Sequence, residues 1–300
     1  MASDANPVDF SESADTTLSS RKDASLASIM WRHPSVFWGG LLLVVMVIIA
    51  VIGPLFTVDP VALNPIKRLK PPSAEFWFGT DFLGRDVLAR VIHGARVSLV
   101  VGLTVAVIAV VLGLLIGLVS GYLRWLDAIM MRVMDGLMAI PGILLAIALI
   151  SLSGASLTIV IVAITIPEIP RVVRLVRSIV LTVREEPYVE AAVAAGTRLP
   201  LVLFRHVLPN TVPPLIVQAT YVCASAILTE SFLGFLGAGI PPEIPSWGNI
   251  MSEGRTFFQL TPWIIFFPGV ALAITVLAVN IVGDGLRDTL DPRIARKMGT

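Results

Sequence analysis

Residues 38–57, WGGLLLVVMVIIAVIGPLFT, run without a single charged side chain. A helix rising about 1.5 Å per residue needs roughly 20 such positions to cross the hydrocarbon of a bilayer. Five more apolar stretches lie near 97–121, 134–153, 156–176, 212–236 and 262–282. None alternates polar and apolar residues as a barrel strand must, so the chain is predicted to be an all-α, polytopic membrane protein with about six transmembrane helices. Composition agrees: 56 % of residues are hydrophobic and only 14 % charged, against about 25 % charged in soluble chains. The net charge of +1 and the scattered basic residues give no footprint for nucleic acid. The single cysteine, Cys223, lies in an apolar run, can form no internal disulfide and reads as a small buried residue.

Basic residues orient the spans. With both termini on the cytoplasmic side, 15 of the 22 Lys and Arg residues fall inside, from Arg21, Lys22 and Arg32 through Arg205 to Lys297. Six of the remaining seven crowd the first outer loop, which also carries Asp59, Glu75, Asp81 and Asp86. The organisation expected is a cytoplasmic tail over 1–37, a first transmembrane helix over 38–57, an extracytoplasmic loop over 58–96, a five-helix core over 97–282 and a cytoplasmic tail over 283–300. The first 37 residues are polar at the start and hold no apolar core before Trp38, unlike a cleaved signal peptide.

Within that core, residues 177–211 form the longest internal cytoplasmic loop. It contains EEPYVEAAVAAGTRLPLVLFRHVLPN, residues 185–210. Pro187 suits a first helical turn, and Glu185, Glu186 and Glu190 place negative charge at the positive end of the helix dipole. Gly196 can close that helix in a left-handed cap, Thr197 can cap a second short helix with Pro200 in its first turn, and Pro209 ends it. The face of Ala191, Ala192, Ala194 and Ala195 lets another backbone come close at little cost in rotamer entropy. From these residues alone, a docking face and a helix packed on its own membrane segments remain equally open.

The motif Glu190-Ala191-Ala192, then Gly196, then Leu208-Pro209, resembles the EAA loop of ABC importer permeases, with His206 where the usual pattern has isoleucine. FGTDFLGRDVLARVIHGARVSLVVG at 78–102 and GDGLRDTLDPR at 283–293 are similar to segments of the C-type subunits of dipeptide, oligopeptide and nickel importers. The resemblance implies a type I ABC importer permease fold, with an EAA loop that docks on a separate ATPase. It also implies a second, B-type permease subunit, two ATP-binding subunits and an extracytoplasmic binding protein. ATP and Mg would sit on the partner ATPase subunits and no cofactor on this chain, which is then a non-catalytic subunit. Consistent with this, Lys22, Lys67, Lys70 and Lys297 precede Asp, Arg, Pro and Met, so none can complete a phosphate-binding loop. Short peptides are the expected cargo, with nickel chelates or glutathione-like molecules as alternatives.

Ionisable residues at bilayer depth are costly and mark function or a named partner. Glu230 in the fifth span either lines the pathway or bonds a neighbouring backbone. Asp135 is expected to pair with Arg132 one turn earlier. Glu168, between Pro167 and Pro170, marks either a kink or the inner end of the fourth span, before a stripe of Arg171, Arg174 and Arg177 facing lipid headgroups or an ATPase. Asp81, Arg85 and Asp86 form an outer cluster that serves as a gate or binding-protein contact, or as a local cap and salt bridge. His93 and His206 are too far apart in the topology for a metal pair, and no GxSxG or HExxH motif supports an intramembrane enzyme. An ion-coupled carrier predicts inverted repeats, and none is visible.

Overall fold

The computed structural model describes residues 34–290; the ends of both tails, 1–33 and 291–300, lie outside the described residues. Helix α1 (Pro34–Ile52) leads through a loop with two short 3-10 turns to α2 (Val87–Tyr122), α3 (Arg124–Ala139) and α4 (Gly142–Ser153). Then follow α5 (Leu157–Val183), α6 (Pro187–Ala194), α7 (Leu199–Val202), α8 (Leu208–Phe235), α9 (Trp247–Arg255) and α10 (Trp263–Leu290). The described residues form no strands, only one isolated bridge between Thr80 and Asp86, as the all-α expectation requires.

Apolar stretches and helices differ in extent for a physical reason: water ends an apolar run but need not end a helix. At 36 residues, α2 starts ten positions before its apolar stretch, where the Asp86 carboxylate accepts the Leu88 N–H at 2.9 Å and caps the first turn. The third expected span is two helices, α3 and α4, bent by 86° at Ile140–Pro141. Among the described residues, four helical stretches, containing α1, α2, α8 and α10, are long and apolar enough to cross a membrane, or five if α3 and α4 form one broken span. The fourth expected span, α5, is 27 residues long but carries Glu168, Arg171, Arg174 and Arg177 in the half where an apolar run would continue. It stays helical through Pro167 and Pro170.

The centre of the bundle is the seam between α2 and α5. Gly113, Gly117 and Gly121 recur every fourth residue on α2 and meet Val172, Val176 and Val180, spaced identically on α5. A β-carbon added at these glycines would lie 2.5, 2.6 and 2.8 Å from the Cβ of the facing valines. The ridge of branched side chains therefore fits into a groove that has no side chains of its own. Because both sets of residues advance together, α2 and α5 run parallel and end at the same side of the molecule. The larger apolar core grows around this seam, with Val101, Val105, Val160 and Ala163 from the helices and Val189, Val202 and Val207 from the connection after α5. A second core gathers Val87, Val91, Ile227, Ile250 and Ile264 around the buried Trp247, whose indole N–H donates to the Val91 carbonyl at 3.0 Å.

Replacing Gly117 by leucine should force α2 off α5 and destabilise the protein by about 1–3 kcal/mol, read by denaturant titration in detergent. Gly136→Ala, where an added β-carbon meets nothing within 4 Å, should leave stability unchanged or slightly higher.

Candidate functional site

The connection between α5 and α8 folds as a knuckle at the end of the bundle where α2 and α5 finish. Pro187 opens α6 at its first position. The helix closes as a Schellman motif: Gly196, at φ +81°, donates its N–H to the Val193 carbonyl at 2.9 Å, and Thr197 donates to Ala192 at 3.1 Å. Thr197 therefore finishes α6 rather than capping the next helix; Arg198 holds the N-cap position of α7 without a side-chain bond. Pro209 does not end the second helix either. A π turn over Leu203–Val207, closed by the Leu208 N–H on the Leu203 carbonyl, delivers Pro209 into the first turn of α8, where a missing N–H costs no bond.

Val189, Val202 and Val207 are fully buried and root the knuckle in the main core. Its other side is open. Glu190, Ala191, Gly196 and Pro209 are exposed, while Ala192 and Leu208 are half-buried. Tyr188, Val193, Leu201 and Phe204 also stand out to solvent. A groove lined by Tyr122, Arg124, Arg184, Glu190, Val193 and Ala194 runs along α6. Nothing lies within 4 Å of where a Gly196 β-carbon would be, so glycine is required there by backbone conformation and not by space inside this chain. His206, at the position of the pattern's isoleucine, sits beside Tyr188 with ring centroids 6.1 Å apart. Asn210 ties both down, donating to the Tyr188 hydroxyl at 3.1 Å and the His206 carbonyl at 2.6 Å.

At the opposite end, the 81–86 cluster is a closed ionic lock. Asp81 is fully buried; its Oδ1 accepts the N–H groups of Leu83 and Arg85 at 2.8 and 2.9 Å, and its Oδ2 accepts Arg85 Nε at 2.6 Å and Arg90 Nη1 at 2.9 Å. Glu253 of α9 completes it, accepting Arg85 Nη2 at 2.5 Å and Arg90 Nη2 at 3.1 Å, with a second bond from Arg90 Nη1. Two carboxylates thus neutralise two buried guanidiniums and pin α9 to the start of α2. Asp81 and Arg85 meet across a turn, not along a helix. Asp86 stands apart as the cap of α2, and desolvation raises its carboxyl above the ordinary aspartate range against the pull of the Leu88 and Ala89 N–H groups. Arg90 and Glu253 were not singled out in the sequence; an arginine on the buried face of α2 was the only available signal.

Glu230 of α8 is fully buried. Its Oε2 accepts the hydroxyls of Ser98 at 3.0 Å and Ser231 at 3.5 Å, so among the described residues it bonds side chains and not a neighbouring backbone. The three arginines of α5 each find a carboxylate. Arg171 pairs with Glu168 at 3.1 Å, Arg174 with Asp135 at 2.5 Å, and Arg177 makes a two-bond pair with Asp127. Asp135 therefore takes Arg174 across the helix interface and not Arg132 on its own helix.

These features belong to a family the sequence confirms: the chain is a member of the binding-protein-dependent transport system inner membrane components, whose pattern matches residues 109–296. It is an integral, multi-pass component of ABC importers. Over 273 residues it is 59 % identical to the probable peptide ABC transporter permease protein y4tQ of Sinorhizobium fredii, covering 91 % of this chain and 94 % of that one. It is 44 % identical over 250 residues to the dipeptide transport system permease protein DppC of Alkalihalophilus pseudofirmus, covering 83 % and 82 %. Among solved structures it is similar to the MetNI methionine ABC transporter in an inward facing conformation, with a TM-score of 0.51 and 21 % identity over 68 % of this chain and 96 % of that chain. That likeness concerns the fold.

Glu253→Gln should leave two buried guanidiniums facing one full carboxylate and cost about 3 kcal/mol, measured as a shift in the unfolding midpoint of the detergent-purified protein. Glu185→Gln, which removes only the exposed partner of Arg184, should change stability by less than about 0.5 kcal/mol.

Proposed function

We propose that this chain is one of two paired membrane subunits of an ATP-driven importer of short peptides. The observation that carries the reading is the knuckle: a bent pair of short helices, rooted by three buried valines in the core that holds α2 and α5, with its alanine face and Gly196 open to a partner. The names of the curated relatives, peptide and dipeptide permeases, support the cargo class.

In this reading Glu190, Ala191, Ala192, Gly196, Leu208 and Pro209 form the docking site of an ATPase subunit on the cytoplasmic side. Both termini lie on that side too, and six spans cross the membrane, with α3 and α4 as one broken span. Two ATPase subunits hold ATP and Mg and close on nucleotide. A second, B-type permease completes the pathway, and a binding protein delivers cargo to the side of the 81–86 cluster. This chain does no chemistry. It transmits motion: force on α6 reaches α5 directly through the short 184–186 connection and reaches α2 through the glycine seam, rocking the bundle between two packings. The 81–86 lock holds the far end of α2 and α9 together as that motion passes.

Gly196→Trp and Glu190→Arg should insert normally in the membrane but fail to retain the ATPase subunits on co-purification, and peptide uptake by the reconstituted complex should fall at least tenfold. Unimpaired uptake with Gly196→Trp would contradict the docking role.

A further inference from the structure

Charge near the middle of a bilayer must face water or protein. On α5, Arg171 lies nine residues before Val180, which meets Gly121 at the end of α2. At about 1.5 Å per residue that is some 13 Å before the level at which α2 ends; taking that level as the edge of the hydrocarbon puts Arg171 close to the middle of roughly 30 Å. The Arg171 side chain is nevertheless 44 % exposed, and so is half of Tyr221, whose ring centroid lies 6.0 Å from the guanidinium carbon. Closer to the knuckle follows the Arg174–Asp135 pair, whose side chains are 46 % and 62 % exposed. Hydrocarbon would not accommodate such a polar stripe.

The local chemistry is specific. Glu168 is nearly buried and is fixed by Ser225 of α8, whose hydroxyl donates to Oε1 at 3.0 Å. Its two oxygens accept Arg171 Nη1 at 3.1 and 3.2 Å. Among the described residues, Nε and Nη2 of Arg171 make no hydrogen bond. One nitrogen is therefore spent on holding the guanidinium in place beside the Tyr221 ring, while the remaining donors form a fork of the kind that grips a carboxylate.

We propose that Arg171 and Tyr221 form a cargo subsite on the translocation path, where the free fork receives the C-terminal carboxylate of a short peptide. Glu168 and Ser225 are positioning residues. Glu168 also offsets the charge of Arg171, so that the carboxylate is held weakly enough to move on. This assignment rests on the peptide-import reading above and adds the place of contact.

The test uses the complete complex, with its ATPases and binding protein, in proteoliposomes and with dialanine as cargo. In a Cys223→Ser background, Arg171→Cys should lower uptake at limiting dialanine roughly tenfold, the loss of a charge-assisted contact. The introduced thiol should react with water-soluble methanethiosulfonates added from the knuckle side, and dialanine should slow that reaction. A trimethylammonium reagent should restore much of the uptake, and a sulfonate reagent should not. Arg171→Lys, retaining charge but not the fork, should fall between. A thiol inert to both reagents, or uptake indifferent to the charge placed there, would overturn the subsite. A wild-type complex that takes up no dialanine would instead overturn the peptide reading, and the ligand assigned here with it.

Discussion

Everything in this bundle is arranged about one close approach, that of α2 to α5. Three glycines at four-residue spacing remove the side chains from one stripe of α2, and three valines at the same spacing fill it. In hydrocarbon, where apolar burial gives helices no net drive to associate, such shape matching is a principal source of attraction. It fixes more than stability. Because the two helices run parallel and in register, they end together, and the chain leaving α5 must turn back beneath the end of α2. The Arg184 guanidinium spans that place, donating to the Gly121 carbonyl at 3.4 Å. The knuckle follows from that geometry, with Val189, Val202 and Val207 as its roots.

Charges are then distributed in two ways. At the end bearing the 81–86 cluster they are buried and saturated: Asp81, Arg85, Arg90 and Glu253 satisfy one another almost completely, which makes a rigid clasp between α2 and α9. Toward the knuckle, α5 meets α3 through ion pairs, Asp127 with Arg177 half-buried and Asp135 with Arg174 exposed, while only Met134 of α3 is buried. An interface made of ion pairs open to solvent in whole or in part, on a helix with little buried apolar surface, is more weakly held than the buried clasp. The molecule is thus tight at the 81–86 end and looser beside the polar stripe, a contrast that the proposed rocking between two packings would use.

Much of this was legible in the sequence. Long, mainly apolar stretches located the helices because hydrocarbon favours little else, and Pro187 and Gly196 fell where first-turn and left-handed-cap chemistry place them. What escaped was of two kinds. Helix ends outside the apolar stretches depend on caps and on distant partners: α2 begins at Val87 because Asp86 caps it, and Arg90 on its buried face is neutralised by Asp81 and Glu253. Partners themselves are tertiary facts. Arg132 is the natural neighbour of Asp135 on one helix, but Arg174, 39 residues away, is the one within reach. The knuckle's second half was misread because Pro209 looks like a stop, while a π turn lets the chain continue through it. The glycine stripe at 113, 117 and 121 was printed plainly and carries its own packing rule, yet inside an all-apolar run it raises no contrast in hydropathy.

The proposed docking role requires the knuckle to lie on the cytoplasmic side, against another subunit. The most direct measurement is labelling of a cysteine introduced at exposed Ala194, in a Cys223→Ser background, by a membrane-impermeant maleimide. The account predicts no labelling in intact cells, full labelling in inside-out vesicles stripped of ATPase subunits, and protection when those subunits are present. Labelling from outside intact cells would contradict it.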